Sequence, residues 1–263
     1  MDRIAGTVPL FIADAEVGCV TEAWHDRTIE VPGPLEPHGD GLRLRPSLDT
    51  FDARCTALAD WAMRLRERGW LPGWRDERVR IDDAHGHALA LVERALLRPL
   101  GLLLHSVQAC VWTTTTDGPR IWVARRAWHK PVDPGRLDAL VAGGIAGFDD
   151  AHATLVRECA EEAGLPESLA RLAQQAGVLE LCHGAMDDGL PVVHRERVAL
   201  HELEIPPQIV PIAADGEHEA ILSMTPAEAL ASIEADPWTR DGAQATRDLV
   251  MRHGWVASAP SPG

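Results

Sequence analysis

The sequence predicts an α/β protein in two parts, a small α+β accessory domain over residues 1–104 and a larger α/β domain over residues 105–256. Two observations favour this division. Apolar, β-branched runs in the second part are joined by turns containing Asp-Gly, which is typical of β-hairpins. A glycine-rich turn then leads into a glutamate-rich helical segment. Residues 257–263 are small and rich in Pro and Ser, so we expect a flexible tail.

The first part mixes strand-like and helix-like segments. Its clearest signals are the helical spacing of apolar residues after Phe51 and, before it, the segment Pro32–Pro46, which contains four separate prolines. In chain order, we expect strands over Leu10–Ala13 and Val17–Val20, a loop over Pro32–Pro46, a helix over Phe51–Trp70, a strand over Val79–Ile81 and a helix over Ala88–Leu97.

The second part places two hairpins around the glutamate-rich helix. Asp117-Gly118 marks the first hairpin turn, and Thr225 is a helix N-cap candidate. In chain order, we expect strands over Val107–Thr116, Arg120–Trp128 and Leu137–Val141, helices over Asp150–Ala163 and Pro166–Gln175, strands over Gly177–Met186 and Pro191–Leu203, a loop over Pro206–Asp215, a strand over Glu217–Met224, and helices over Pro226–Glu234 and Asp241–His253.

Composition limits the partners and the compartment. The net charge is −15, which disfavours binding to nucleic acid or to anionic membrane. The five cysteines are scattered and lack CxxC spacing, which argues against a disulfide framework or a zinc ribbon. Apolar runs of membrane-spanning length and an N-terminal signal pattern are both missing. We therefore expect a cytoplasmic protein whose partner is neither nucleic acid nor membrane.

The glutamate-rich helix carries the chemistry. Glu158, Glu161 and Glu162 fall within about 100° of one another on the helical wheel, so three carboxylates share one face. A solvated acidic face is the simplest interpretation of such a cluster. The Gly143-Gly144 turn before it and the Ala-Gly-Leu exit after it favour instead a site where a divalent metal holds a diphosphate.

The segment from Gly143 to Leu165 resembles the Nudix box, in which a Gly is followed after five residues by Glu and after seven more by Arg-Glu-U-x-Glu-Glu-x-Gly-U, with U aliphatic. Asp149 replaces the first Glu, and Cys159 replaces the first aliphatic residue. The resemblance implies an α/β/α sandwich with a mixed sheet, and a hydrolase of phosphoric anhydrides. It also implies that Mg²⁺, or Mn²⁺ in its place, is the cofactor.

The resemblance and the helix geometry together assign roles within the box. Glu158 and Glu162 are the expected principal metal ligands, with Glu161 contributing through the same metals or through water. Arg157 lies beside Glu161 on the wheel and is expected to orient a carboxylate. The general base stays open between a box glutamate and the downstream Glu217 and Glu219, with Glu217 preferred.

Substrate contacts are expected around the first hairpin and the turn of the box. Lys130 is the single lysine of the chain, and with neighbouring arginines it forms a basic patch suited to phosphate. Tryptophans on the hairpin offer flat faces for a substrate ring, although most Trp side chains serve the core. The candidate substrate-binding residues are Lys130, Arg125, Trp112, Trp122, Gly143 and Gly144.

Residues 107–146, the run DGEHEAILSMTPAEAL and the closing RDLVMRHGW resemble one Nudix subfamily. That subfamily is described as related to thiamine pyrophosphokinase, carries an extra N-terminal domain of unassigned role, and includes enzymes that act on oxidised thiamine diphosphate. The resemblance implies a small-molecule diphosphate substrate, with thiamine diphosphate or its oxidised analogues among the candidates. A P-loop is missing from the sequence, which argues against a kinase.

Two alternatives stay open at the level of sequence. An isomerase of the isopentenyl-diphosphate type would need a reactive cysteine, for which Cys110 is the candidate. A noncatalytic ligand-binding module would explain Asp149 as an early loss of the box. The N-terminal part offers a surface for a homodimer, a lid or one wall of the pocket.

Overall fold

The computed structural model describes residues 4–130, 132–235 and 237–255, so the predicted tail at 257–263 lies outside the described residues. The chain forms two compact units. The first unit contains the chain up to His105 together with Ile145–Asp149 and Glu180–Arg197, and the second contains Ser106–Gly144, Asp150–Leu179 and the chain from Val198 onward. The sequence-based boundary at residues 104/105 stays a prediction.

The N-terminal region forms a four-stranded sheet in the order β2-β1-β4-β3 and a two-stranded sheet of β5 and β6. Its elements are β1 (Thr7–Ile12), β2 (Ala15–Thr21), α1 (Glu22–Glu30), β3 (Leu35–His38), β4 (Gly41–Leu44), α2 (Phe51–Glu67), β5 (Arg78–Asp82), β6 (Ala88–Glu93) and a 3-10 turn (Arg94–Leu96).

Helix α2 provides the centre of this region's core. Thr50 caps its N-terminus by accepting a hydrogen bond from the Ala53 amide (3.2 Å). Leu58, Trp61 and Leu65 recur at helical spacing and are fully buried, as the sequence predicts. The Trp61 indole N–H donates to the Val31 carbonyl (3.0 Å), so the largest core side chain also has its polar atom satisfied.

Two expectations for the N-terminal region are wrong. The predicted helix over Ala88–Leu97 is strand β6, because this apolar run pairs with β5 and buries Ala90 and Val92 on one face. The predicted loop over Pro32–Pro46 contains β3 and β4, since prolines are tolerated on an edge strand. Helix α1 is a further element that the sequence pattern did not reveal.

The rest of the chain forms a seven-stranded sheet with the order β11-β12-β7-β8-β13, in which β10 pairs with β7 and β9 pairs with β8. Its elements are β7 (Leu103–Thr115), β8 (Gly118–Arg126), β9 (Leu137–Ala139), β10 (Ala142–Gly144), α3 (Ala151–Ala163), α4 (Glu167–Ala170), β11 (Gln174–Asp187), β12 (Leu190–Glu204), β13 (His218–Met224), α5 (Pro226–Ala235) and α6 (Arg240–His253).

The predicted α/β class and both hairpins of this part are confirmed. The strand expected over Leu137–Val141 is only the short β9, and a separate strand, β10, follows it on a different partner. The helix expected over Pro166–Gln175 is only the short α4, because β11 already begins at Gln174. Thr225 and Glu228 exchange side-chain and backbone hydrogen bonds as a capping box before α5, which confirms the predicted N-cap.

A buried polar network joins β9 to α6. Asp138 accepts hydrogen bonds from the Thr239 hydroxyl (2.8 Å), the Gln108 amide (3.2 Å) and the Arg126 guanidinium (3.3 Å). Burial, and then the nearby carboxylate of Asp241, raise the pKa of Asp138 to about 8. The network therefore contains a carboxyl group that the fold prefers to keep protonated.

Candidate active site

The turn of the box brings backbone against carboxylate. Gly143 lies in β10, opposite Val107 of β7. A Cβ atom added to Gly143 would lie 2.4 Å from Cδ of Glu158 and 2.5 Å from its Oε1. A side chain at this position would therefore occupy the space that the Glu158 carboxylate uses, which favours glycine here.

Helix α3 presents the box glutamates, and its two ends are fixed by local signals. The Asp150 carboxylate accepts a hydrogen bond from the Ala153 amide (3.0 Å) at the N-terminus. Gly164 ends the helix in the left-handed conformation (φ 62°), and the buried Leu165 follows it. Both ends of α3 are thus fixed by caps, so its acidic face and its buried apolar stripe have defined positions.

Glu162 is the most deeply buried of the box carboxylates, with 4 % of its surface exposed. Its Oε2 accepts a hydrogen bond from the Ala142 amide (3.0 Å), which ties the helix to β10. Burial is the largest cause that raises its pKa well above the usual range, and nearby carboxylates add to this effect. Burial likewise raises the pKa of Glu158, against the opposing effect of Arg157.

A loop from outside the box completes the cluster. Carboxylate oxygens of Glu162, Asp215 and Glu217 lie within 4.8 Å of one another. The loop is held against the end of α3, where the Ala214 amide donates to the Glu162 carbonyl (3.4 Å). The Asp215 carboxylate accepts a hydrogen bond from the Glu217 amide (2.8 Å) across Gly216, whose φ is 80°. This turn aims both acids at Glu162.

Asp215 is a site residue that the sequence analysis missed. The predicted loop Pro206–Asp215 ends at this residue, and the predicted downstream acids are Glu217 and Glu219 alone. Its proximity to Glu162 depends on how the loop docks on α3, which no local spacing reveals. The signal available in the sequence was the Asp-Gly-Glu turn directly before a strand.

The single lysine lies at this cluster. Lys130 Nζ pairs with Oε2 of Glu217, and only 10 % of its side chain is exposed. The Glu217 carbonyl also accepts a hydrogen bond from the Ala127 amide (2.9 Å), so this stretch is tied to the end of β8. One ammonium group is thus fixed beside several carboxylates, which reduces their mutual repulsion.

Arg157 bridges two box glutamates. Its guanidinium lies 2.8 Å from Oε1 of Glu158 and 2.9 Å from Oε2 of Glu161. The expectation that Arg157 orients a carboxylate agrees with these contacts, and it contacts two rather than one. The Glu161 side chain is half exposed, whereas that of Glu158 is largely buried.

Glu219, the second downstream candidate for the general base, is separated from Glu217 by an irregularity in strand β13. Strand β13 has a bulge between His218 and Ala220, so the simple alternation that would align Glu219 with Glu217 is interrupted. Glu219 is exposed, while His218 is buried. The exposed Asp149, at the first acidic position of the box, lies directly before the N-cap of α3.

The other predicted substrate-binding residues have local partners. The Arg125 guanidinium donates to the Gly135 carbonyl (3.0 Å), and Gly144 pairs with Ser106 in the sheet. Trp112 packs edge-on against His253 and Trp255, with ring centroids 5.1 and 4.9 Å apart. Trp122 lies on β8, opposite Val111. Within the described residues, none of these contacts includes the carboxylate cluster, and the substrate roles stay predictions.

The arrangement fits a hard divalent cation. The converging groups are carboxylates, the ligands that Mg²⁺ and Mn²⁺ prefer. Glu162, which is one of them, and Glu158 on the same helix have raised pKa values because burial disfavours their charged form, and a bound cation would offset that cost. The missing Cβ of Gly143 leaves the space in which the Glu158 carboxylate lies.

The carboxylate cluster combines box glutamates on α3 with Asp215 and Glu217 from a second loop, an arrangement suited to a hydrolase of phosphoric anhydrides. The chain belongs to the Nudix family, since the family model described as NUDIX domain matches residues 104–249. A second model, described as a domain of unknown function (DUF4743), matches residues 2–103. Nudix hydrolases act on diphosphate-containing substrates, and as a class they use divalent metal.

Named relatives extend over nearly the whole chain. "Nudix hydrolase 24, chloroplastic" of Arabidopsis thaliana is 26 % identical over 267 residues, covering 100 % of this chain and 72 % of the relative. "Nudix hydrolase 20, chloroplastic" of the same plant is 25 % identical, covering 97 % and 70 %. A crystal structure from Deinococcus radiodurans aligns with a TM-score of 0.48 and 21 % identity, covering 65 % of this chain and 98 % of that one.

Three expectations from the sequence concern the membrane, the cellular location and the isomerase alternative. None of the helices in the described residues is long and apolar enough to span a bilayer. The cytoplasmic location stays a prediction, and two relatives carry the word chloroplastic in their names. Cys110, the candidate for isomerase chemistry, is buried, and burial raises the pKa of its thiol to about 12, which disfavours a reactive thiolate.

Proposed function

We propose that this protein is a Mg²⁺-dependent hydrolase that cleaves the diphosphate linkage of a small organic or nucleoside diphosphate. Thiamine diphosphate and its oxidised analogues are the first substrates to test, because of the subfamily resemblance. The observation that carries the proposal is the convergence of Glu162, Asp215 and Glu217, with Glu158 held against Gly143. Mn²⁺ is the expected substitute for Mg²⁺.

The proposed roles follow from burial and position. Glu162, Asp215 and Glu158 would hold the cation, which when bound neutralises phosphate charge and polarises water. Arg157 keeps Glu158 in place through its 2.8 Å contact and shares its charge with Glu161. Lys130, fixed at the cluster, is positioned to contact a phosphate oxygen once Glu217 releases it.

The reaction needs a proton acceptor for the attacking water. In the proposed step, the water oxygen adds to one phosphorus, the bridging P–O bond breaks, and the water proton passes to a carboxylate. Glu217 is our preferred acceptor, because it lies inside the cluster. Glu161 is the second choice, since it is half exposed and paired with Arg157. The exposed Glu219 is the third.

Glu162→Gln tests the proposal. The substitution keeps the side-chain size but removes the charge, and we expect kcat for phosphate release to fall by about 100-fold or more. A panel of diphosphates that includes thiamine diphosphate and its oxo form would be assayed with Mg²⁺ and with Mn²⁺. Glu234→Gln, at an exposed glutamate on α5, is the matched control. Phosphate release that survives Glu162→Gln unchanged would refute the proposed function.

A further inference from the structure

Part of the Nudix box belongs structurally to the N-terminal unit. The segment Ile145–Asp149, which we call the box loop, connects β10 to α3 and lies inside the Nudix family match. It nevertheless groups with the first unit. The boundary suggested by the family models and the boundary drawn by contacts therefore disagree at this loop.

Backbone hydrogen bonds explain the disagreement. The Gly147 amide donates to the Arg78 carbonyl of β5 (2.7 Å), and Gly147 forms a parallel bridge with Val79. The Ile145 amide donates to the His105 carbonyl (2.9 Å). Gly147 has a φ of 48°, so the loop turns at a position suited to glycine. Residues of the first unit, Arg78 and His105, thus hold the loop by its backbone at two points.

Side chains add a third attachment. Phe148 is 60 % exposed, although phenylalanine side chains are usually buried. The Arg80 guanidinium lies 5.4 Å from the centre of its ring, and the Phe51 ring lies 6.1 Å away. Such cation–π and aromatic contacts hold an exposed ring in one place without burying it.

We propose that the N-terminal unit serves the hydrolase by positioning the box loop, with Phe148 and Arg80 as positioning residues. The loop is continuous with Gly144 on one side and with Asp150, the N-cap of α3, on the other. A loop held at β5 therefore fixes both the glycine turn and the start of the helix that carries the site carboxylates. This inference rests on the proposed function, and it assigns a role to the N-terminal domain of unknown function at residues 2–103.

Substitutions at Phe148 test the inference without unfolding the protein, because the side chain is largely exposed. We expect Phe148→Ala and Phe148→Leu to lower kcat about tenfold, since small displacements at an active site are costly, while KM changes less than twofold. Phe148→Tyr keeps the ring face for Arg80 and should retain wild-type kcat. Ile29→Ala removes an equally exposed apolar side chain of the first unit and is the control.

Each outcome has one meaning. A fall in kcat that Tyr rescues and Leu does not, with an unchanged melting temperature, supports positioning through the ring. An unchanged kcat in all variants overturns it, and so does a rise in KM at constant kcat, which would indicate direct contact between Phe148 and substrate. Failure of the wild-type protein to hydrolyse any diphosphate would instead count against the proposed function.

Discussion

Gly143→Ala is the most direct perturbation of the site geometry. The added Cβ would lie 2.4 Å from Cδ of Glu158, whereas ordinary contacts begin at 3.4 Å. Either the carboxylate or β10 must therefore move by about 1 Å. Glu158 is held by Arg157 (2.8 Å), and Gly143 is held by its pairing with Val107, so neither moves freely. We expect kcat to fall by about 100-fold and stability to fall by about 1–3 kcal/mol.

The assay combines two readouts. Calorimetric titration with Mn²⁺ reports on the carboxylate cluster without any substrate, and phosphate release from the best diphosphate of the panel reports on turnover. Gly184→Ala is the matched control, since its added Cβ would meet nothing within 4 Å and the position has no left-handed φ. If Gly143→Ala binds Mn²⁺ and turns over like wild type, then Glu158 does not depend on the missing Cβ, and the reasoning fails.

Two further predictions concern charges near and away from the site. Lys130→Met should strengthen Mn²⁺ binding roughly fivefold, because it removes a positive charge from the cation site. It should also lower kcat/KM. Weaker Mn²⁺ binding would contradict this and would mean that Lys130 mainly holds Glu217 in place. Asp138, with its pKa raised to about 8, contributes stability that is fully present below its unfolded pKa and is lost as pH rises toward 8. Asp138→Asn should reduce the fall in stability between pH 5 and pH 8, measured by urea unfolding, and an unchanged slope would contradict this.

Local signals in the sequence predicted the hairpins and the capped helices well. The Asp117-Gly118 turn, the Thr225 cap and the end of the last helix at His253 are all present, because each depends on residues within a few positions. The Ala88–Leu97 segment was assigned to the wrong class for the opposite reason. Its Ala and Leu residues favour helix in isolation, but pairing with β5 decides the outcome.

The site shows the same division between local and distant information. Helical spacing was sufficient to place Glu158, Glu161 and Glu162 on one face and to set Arg157 beside them. Asp215 lies more than fifty residues after Glu162 in the sequence, and it reaches the site only because its loop packs against α3. The bulge beside Glu219 likewise depends on pairing with β8. The spacing of residues along the sequence contains little information about tertiary contacts of this kind.

The raised pKa values of the box glutamates also lead us to expect that a bound cation stabilises the fold. The pKa values of Glu158 and Glu162 are raised, so the stability that these groups contribute is present at low pH and is lost as pH rises above their ordinary range. Lys130 and Arg157 reduce this loss but are outnumbered by the acids that they face. A divalent cation that bound the folded cluster but not the unfolded chain would offset the remaining repulsion. The charge imbalance that lowers the stability of the metal-free fold as pH rises would therefore favour binding of the divalent cation that we propose for hydrolysis.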